Sequence, residues 1–226
     1  MWQRLPDTGG LKSMNKIEDA FKNKKAFIPF VTAGDPSLDV TRELILAMQE
    51  AGADLIEIGI PFSDPVAEGP VIQEADDRAL SAGITTDKIF DMVDDIADKI
   101  HVPIVFMTYI NPIYVYGVEK FAKRAKACGA AGVIVPDVPF EEKEEIRGSF
   151  EAEGLVVISM VAPTSAERVR MIAKEAKGFL YCVSSLGVTG VRTEIGTAIG
   201  DLIQTVKEEC SIPCAIGFGI STPEQA

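Results

Sequence analysis

The sequence is poor in histidine: His101 is the single one among 226 residues. A Ser-His-Asp triad depends on a histidine beside its serine, and catalytic zinc sites commonly use two or three histidines. His101 directly precedes the apolar run Pro103–Tyr109, at the N-terminal end of a predicted strand. This scarcity argues against a triad and against a metal centre, and it leaves acid–base chemistry to carboxylates.

Three further shortages bound the class of protein. The four cysteines lack CxxC spacing, which favours reduced thiols in a cytoplasmic protein over disulfides or metal ligands. Acidic residues outnumber basic ones by 34 to 22, and the net charge of −12 argues against nucleic acid or an anionic membrane as a partner. No apolar run approaches the roughly 20 residues needed to span a bilayer, and no signal peptide opens the chain.

The sequence does contain short apolar runs typical of buried strands, and none of them carries Lys, Arg or His. These runs are Ala26–Ala33, Asp54–Ile60, Pro103–Tyr109, Gly132–Asp137, Leu155–Ala162, Phe179–Ser185 and Pro213–Gly219. Alternation along the second run places Glu57 on one face with Leu55 and Gly59. Burying an ionised carboxylate there is costly, so the pattern predicts a raised pKa and a role in proton transfer. A buried salt bridge or an outward-facing Glu57 is the alternative.

Strands and helices alternate along the chain, which predicts parallel strands with helices outside. A TIM (β/α)8-type barrel fits better than an open doubly wound sheet, because the strands are uniformly apolar and no GxGxxG follows the first one. One connection is longer and holds the loop Pro61–Pro70 and an extra helix, Val71–Leu80. Barrel active sites lie at the C-terminal ends of the strands, where the sequence has Thr32, Tyr109 and Asp137.

The predicted organisation is one barrel domain over residues 14–226. Residues 1–13 look unrelated to the barrel and are expected to be a tag or a disordered extension. Seven strands are counted, so the eighth β/α unit is expected to be missing from this chain.

Two glycine-bearing loops follow the sixth and seventh predicted strands, at Leu186–Gly190 and Gly217–Ile220. In many barrels the last loops bind a phosphate through backbone N–H groups, a site that needs no lysine. The same glycines are also compatible with ordinary turns.

Several long motifs closely resemble the tryptophan synthase alpha subunit family, in that family's order. They are PFVTAGDP (29–36), EAGADLIEIGIPFSDPVAEGPVIQ (50–73), MTYINPI (107–113), VPDVPFEE (135–142), YCVSSLGVTGVR (181–192) and GFGISTPEQ (217–225). The resemblance implies a barrel that cleaves indole-3-glycerol phosphate to indole and glyceraldehyde 3-phosphate by a retro-aldol reaction.

The resemblance also implies three catalytic residues. Glu57 falls on the family's general acid–base glutamate, and Tyr181 on a position near the substrate's glycerol. Glu68 stands where the family pattern, PFSDPxADGP, has an aspartate that stabilises positive charge on the indole nitrogen. The extra methylene of Glu68 moves its carboxylate, and a misplacement of about 1 Å can cost about 100-fold in rate.

The resemblance implies substrate contacts at five further positions. The family lines its indole pocket at Phe30 and Met107, closes a mobile loop at Thr189 and Gly190, and binds phosphate at the Gly190 and Gly219 amides. Thr32 completes the predicted substrate site from the end of the first strand.

The implied partner is the tryptophan synthase beta subunit, in an αββα complex. The loop Pro61–Pro70, the Asn111-Pro112 region and Asp137–Pro139 correspond to family contact surfaces. No cofactor is expected in this chain, because pyridoxal phosphate belongs to the partner. Two alternatives are a stand-alone indole-3-glycerol phosphate lyase and a weakly active chain that mainly activates the beta subunit.

Overall fold

The computed structural model describes residues 17–183, 197–217, 220 and 222. Within these residues the strands are β1 (Phe30–Thr32), β2 (Ile56–Gly59), β3 (Ile104–Met107), β4 (Gly132–Ile134), β5 (Val156–Val157), β6 (Ser159–Val161), β7 (Leu180–Val183) and β8 (Cys214–Gly217). The predicted extension, residues 1–13, lies outside the described residues.

Helices fill most of the connections between the strands. They are α1 (Leu38–Glu50), α2 (Pro70–Ser81), α3 (Thr86–Asp95), α4 (Ile110–Tyr116), α5 (Val118–Ala127), α6 (Glu144–Ala152), α7 (Ala166–Glu175) and α8 (Thr197–Glu209), with 3-10 helices at Ile17–Phe21 and Phe140–Glu142. Pro70 begins α2 at a position where its missing N–H costs no helical hydrogen bond. The extra helix predicted over 71–80 is therefore confirmed as α2.

All strand pairs are parallel and follow chain order. Strands β1 to β5 form one sheet and β6 to β8 a second, with a single residue, Ile158, between β5 and β6. This order, with helices in the connections, is the arrangement predicted for a TIM-type barrel. Among the described residues, β1 pairs with β2 alone and β8 with β7 alone.

The fifth predicted strand, Leu155–Ala162, is divided in the structure, so the expectation of one continuous strand is wrong. Val156 and Val157 pair with β4, whereas residues 159–161 pair with β7. At Ile158 the backbone amide still donates to the Val133 carbonyl, at 2.9 Å. The apolar pattern continues through this change of partner, and the sequence therefore gave no sign of the break.

An apolar cluster covers each of the two faces of the strands. An outer cluster, with Ile56 and Ile58 of β2, packs between the sheet and the helices. An inner cluster contains Leu55 together with Val105, Ile134 and Tyr181 from other strands. Because side chains alternate along β2, Glu57 lies on the inner face with Leu55.

Candidate active site

Glu57 is buried in the interior between two neighbouring strands. It pairs with Phe30 of β1 and Val105 of β3, and only 5% of its surface is exposed. Burial raises the pKa of its carboxyl group to about 8. None of the ion pairs in the described part of the chain involves Glu57. The acid is therefore available near neutral pH in both protonation states, which proton transfer requires.

Tyr181 lies across the interior from β2. It is buried in β7, and burial raises the pKa of its phenol, with further contributions from the charges of Glu57 and Glu68. Gly217 on β8 makes room for the ring, because a Cβ atom there would lie 1.9 Å from a ring carbon of Tyr181. The absence of a side chain at Gly217 thus lets Tyr181 approach the two acids.

Glu68 is brought to the same region by the loop between β2 and α2. Its side chain is buried, at 7% exposure, and Tyr109 Oη donates to its Oε1 atom at 3.3 Å. The same Tyr109 oxygen accepts a hydrogen bond from the Ala67 amide at 3.0 Å. Tyr109 therefore fixes both the loop backbone and the carboxylate that the loop carries.

The three predicted substrate residues that the structure describes lie on β1 and β3. Phe30 places its ring over Gly59, where an added Cβ would meet it at 2.5 Å. Met107 ends β3 and packs against the inner cluster. Thr32 ends β1, and its buried hydroxyl has no hydrogen-bond partner among the described residues. The same is true of the hydroxyl of Thr108, the residue after β3.

Three further predicted binding residues, Thr189, Gly190 and Gly219, lie outside the described residues. His101 is exposed and stands before β3, at the N-terminal end of that strand. The structure thus brings together Glu57, Glu68 and Tyr181, and keeps the one histidine apart from them.

Sequence reasoning missed a third buried acid, Asp76 of α2, which is 6% exposed. Burial raises the pKa of Asp76 to about 7, and the nearby charge of Glu68 adds to this effect. The available signal was its place between Ala75 and Ala79, on the buried face of the helix.

Asp137 plays a structural role that the sequence did not reveal. Its two carboxylate oxygens accept from the Ile110 amide at 3.0 and 3.2 Å, at the first residue of α4. This carboxylate satisfies a free amide at the start of the short helix α4, which contains the Asn111-Pro112 region.

Metal and membrane features are not seen in the part of the chain that the structure describes. There, no group of three or more His, Cys, Asp or Glu side chains is arranged to hold a metal ion. No helix within those residues has the length and apolar character needed to cross a membrane.

Comparisons with known proteins agree on one family. The family model described as tryptophan synthase alpha chain matches residues 17–226. The chain is 47% identical to the tryptophan synthase alpha chain of Lacticaseibacillus casei, over 94% of this chain and 80% of the relative. It is 50% identical to that of Geobacillus kaustophilus, over 90% of this chain and 76% of the relative.

Solved structures give the same result. A tryptophan synthase alpha chain from Legionella pneumophila superposes with a TM-score of 0.82 at 37% identity, covering 94% of this chain and 80% of the other. The tryptophan synthase a2b2 complex of Pyrococcus furiosus contains a chain that superposes with a TM-score of 0.81 at 40% identity, covering 88% and 80%. The predicted TIM-type fold is thereby confirmed.

Proposed function

The chain belongs to the tryptophan synthase alpha chain family, and from this premise we propose how its interior acids perform the family's reaction. As an alpha chain it is a carbon–carbon lyase of tryptophan biosynthesis, which cleaves indole-3-glycerol phosphate to indole and glyceraldehyde 3-phosphate. It works with a beta subunit, the partner seen in the a2b2 complex of a structural relative.

The proposed first step is proton transfer from Glu57 to the indole ring carbon that bears the glycerol chain. The burial of Glu57 supports this role, because an acid whose pKa is about 8 holds its proton at neutral pH. Ring protonation leaves positive charge on the indole nitrogen. Glu68, as a carboxylate, stabilises that charge at hydrogen-bond distance.

In the second step Glu57, now ionised, removes the proton of the glycerol hydroxyl next to the ring. The hydroxyl carbon becomes the aldehyde of glyceraldehyde 3-phosphate while the carbon–carbon bond breaks. The bonding electrons return to the ring, neutralise the indole nitrogen and release indole. Glu57 ends the cycle protonated, because it donates one proton to the ring carbon and takes up another from the glycerol hydroxyl.

Tyr181 and the remaining predicted residues bind the substrate around these acids. The nearness of Tyr181 to Glu57 and Glu68 supports a contact with the glycerol chain. Phe30 and Met107 supply apolar surface for the indole ring, and Thr32 has a buried hydroxyl, unbonded within the described ranges, at the same end of the barrel. Thr189, Gly190 and Gly219 are proposed to hold the phosphate and to close over it.

Glu68 is proposed to act although it is one methylene longer than the family's aspartate. The hydrogen bond from Tyr109 supports this proposal, because it gives the longer carboxylate a defined direction. The backbone carbonyl of Glu68 also accepts a hydrogen bond from Gln73 Nε2, at 2.8 Å.

The beta subunit is proposed to dock against the rim formed by the β2–α2 loop and α4. Val66 of this loop, Val71 in the first turn of α2 and Val115 of α4 are 74%, 71% and 82% exposed, and they would be covered by a partner bound here. The chain itself is proposed to need no cofactor, with pyridoxal phosphate confined to the partner. Its location is proposed to be cytoplasmic, as suits a biosynthetic enzyme with free cysteines in its described part.

The observation that carries the mechanism is the burial of Glu57 in the interior, without an ion-pair partner among the residues that the structure describes. A steady-state assay of indole release, with and without beta subunit, tests it on the wild type, Glu57→Gln and the exposed control Glu43→Gln. An alpha chain shows activity that the beta subunit stimulates, that Glu57→Gln abolishes and that Glu43→Gln retains. Fast indole release without stimulation indicates a stand-alone lyase. No cleavage, with the beta reaction still stimulated, indicates an activator.

A further inference from the structure

Tyr109 is the residue through which the structure gives Glu68 its direction. Its Oη atom donates to Glu68 Oε1 at 3.3 Å and accepts from the Ala67 amide at 3.0 Å. Its ring packs on that of Phe62, with centroids 5.5 Å apart. Tyr109 itself lies in the short connection between β3 and α4. The contacts that hold the backbone of this connection therefore also decide where the Glu68 carboxylate lies.

The two amides that flank Tyr109 are bound by the neighbouring strand β4 and by the residues that follow it. The Thr108 amide donates to the carbonyl oxygen of Ile134, the last residue of β4, at 3.1 Å. The Ile110 amide donates to the two carboxylate oxygens of Asp137, at 3.0 and 3.2 Å. Asp137 thus holds the backbone on one side of Tyr109, as β4 holds it on the other.

The start of α4 depends on Asp137 because the helix provides no acceptor of its own there. Ile110 is the first residue of the helix, so its amide has no carbonyl oxygen of the same helix to bind. The N-cap position is occupied by Tyr109, whose side chain makes no capping hydrogen bond. Loss of the Asp137 carboxylate would therefore leave the Ile110 amide without its acceptor.

Asp137 is itself held in place by a turn after β4. The Val138 amide donates to the Val135 carbonyl oxygen at 3.3 Å and closes this turn, with Pro136 at its second position. Proline presets the backbone angle that this position of a turn requires. In the ranges that the structure describes, the Asp137 carboxylate forms no ion pair. The half-buried carboxylate is therefore best explained by the Ile110 amide from which it accepts.

We propose that Asp137 is a positioning residue for the lyase reaction: it holds the Ile110 amide and thereby fixes Tyr109, which directs the carboxylate of Glu68. The proposal rests on the proposed role of Glu68 in stabilising charge on the indole nitrogen. Because that charge forms only after the ring is protonated, loss of the Asp137 acceptor should lower kcat more than it changes KM.

The first test measures indole formation without beta subunit, so that a change in partner binding cannot affect the result. Asp137→Ala is expected to lower kcat by about tenfold, with KM changed by less than about threefold. Asp137→Asn keeps an acceptor oxygen for the Ile110 amide, so its kcat should stay within about threefold of the wild type. The control Glu142→Ala, at an exposed acid in the same connection, should behave as the wild type. A wild-type kcat in Asp137→Ala, or an equal loss in Asp137→Asn, overturns the proposal.

A double-mutant cycle with Tyr109→Phe tests whether Asp137 acts through Tyr109. If it does, Asp137→Ala should lower kcat by less than about threefold in the Tyr109→Phe background, because the hydroxyl that Asp137 positions is already absent. A loss as large as that in the wild-type background overturns the proposal.

Hydrogen exchange of the Ala67 amide, followed by NMR, gives a readout that does not depend on activity. Because Tyr109 Oη accepts from this amide, its exchange should accelerate in Asp137→Ala and in Tyr109→Phe, and should keep the wild-type rate in Glu142→Ala. Wild-type exchange in Asp137→Ala overturns the proposal, and so does faster exchange with an unchanged kcat. If the wild type makes no indole, the proposed function fails, and the exchange data alone decide whether Asp137 positions Tyr109.

If Asp137→Ala does not fold, Ile110→Pro removes the donor of the same hydrogen bond instead of its acceptor. Proline is favoured at the first position of a helix, and the preceding Tyr109 already has the extended backbone that a following proline requires, with φ −87° and ψ 164°. Ile110→Pro is expected to lower kcat by about tenfold, with KM changed by less than about threefold, and to accelerate exchange of the Ala67 amide. A wild-type kcat or wild-type Ala67 exchange in this variant overturns the proposal.

Discussion

Replacing Glu57 with Gln should make the stability of the fold less dependent on pH. The folded carboxyl has a pKa of about 8, against 4.5 for the ordinary side chain. Its contribution to stability is therefore complete below about pH 4.5 and is lost as the pH rises towards about 8, because the unfolded chain ionises first. The full difference corresponds to roughly 4–5 kcal/mol, at about 1.4 kcal/mol per pKa unit.

The measurement is urea unfolding of the wild type and Glu57→Gln at about pH 5 and about pH 8.5. The glutamine of the variant cannot ionise. The free energy of unfolding of the variant minus that of the wild type should therefore be higher at pH 8.5 than at pH 5, by roughly 3–4 kcal/mol. Any cost of burying the amide is the same at both pH values and cancels. Glu43→Gln, at an exposed site, serves as the control. A gap that stays constant within about 1 kcal/mol would refute the buried, uncharged state of Glu57.

Three further substitutions test the packing around the site. Tyr109→Phe removes the donor to Glu68 and should lower kcat by about tenfold while the fold persists, as measured by indole release and thermal unfolding. Gly217→Ala places a Cβ 1.9 Å from the Tyr181 ring, so it should lower the free energy of unfolding by about 1–3 kcal/mol in urea and also lower the activity. An unchanged urea midpoint would contradict this packing. Phe90→Ala empties the centre of an aromatic cluster in which three other rings lie 5.1–5.7 Å from it, and it should cost about 3–5 kcal/mol without a direct effect on chemistry.

The part of the site carried by strands could be predicted from the sequence. Glu57 stands out because it interrupts an apolar run without a basic residue on any other predicted strand, and the structure buries it on the inner face. The extra helix after Pro61–Pro70 was also predictable from a local feature, since Pro70 stands in its first turn. Local patterns are sufficient for both features.

Features that depend on contacts between distant segments could not be predicted. Asp76 looks like any polar helix residue until the fold buries it near Glu68. The division of the fifth strand at Ile158 reflects a change of pairing partner, to which an apolar pattern is blind. Helix α4 depends on Asp137, whose carboxylate reaches Ile110 from 27 residues away.

The proposed beta-subunit surface and the proposed catalytic acid Glu68 are linked through the same loop. Val66 is exposed on it, while Glu68 two residues later is buried against Tyr109. A partner that binds this rim therefore contacts the segment that sets the direction of Glu68. Stimulation by the beta subunit should accordingly depend on the loop contacts made by Tyr109.

The most direct test of the account is single-turnover cleavage of indole-3-glycerol phosphate by Glu57→Gln in the presence of saturating beta subunit. If this carboxyl group carries the proton, indole formation should fall by about a thousandfold relative to the wild type, while binding of the substrate persists. A single-turnover rate within about tenfold of the wild type would show that another group transfers the proton.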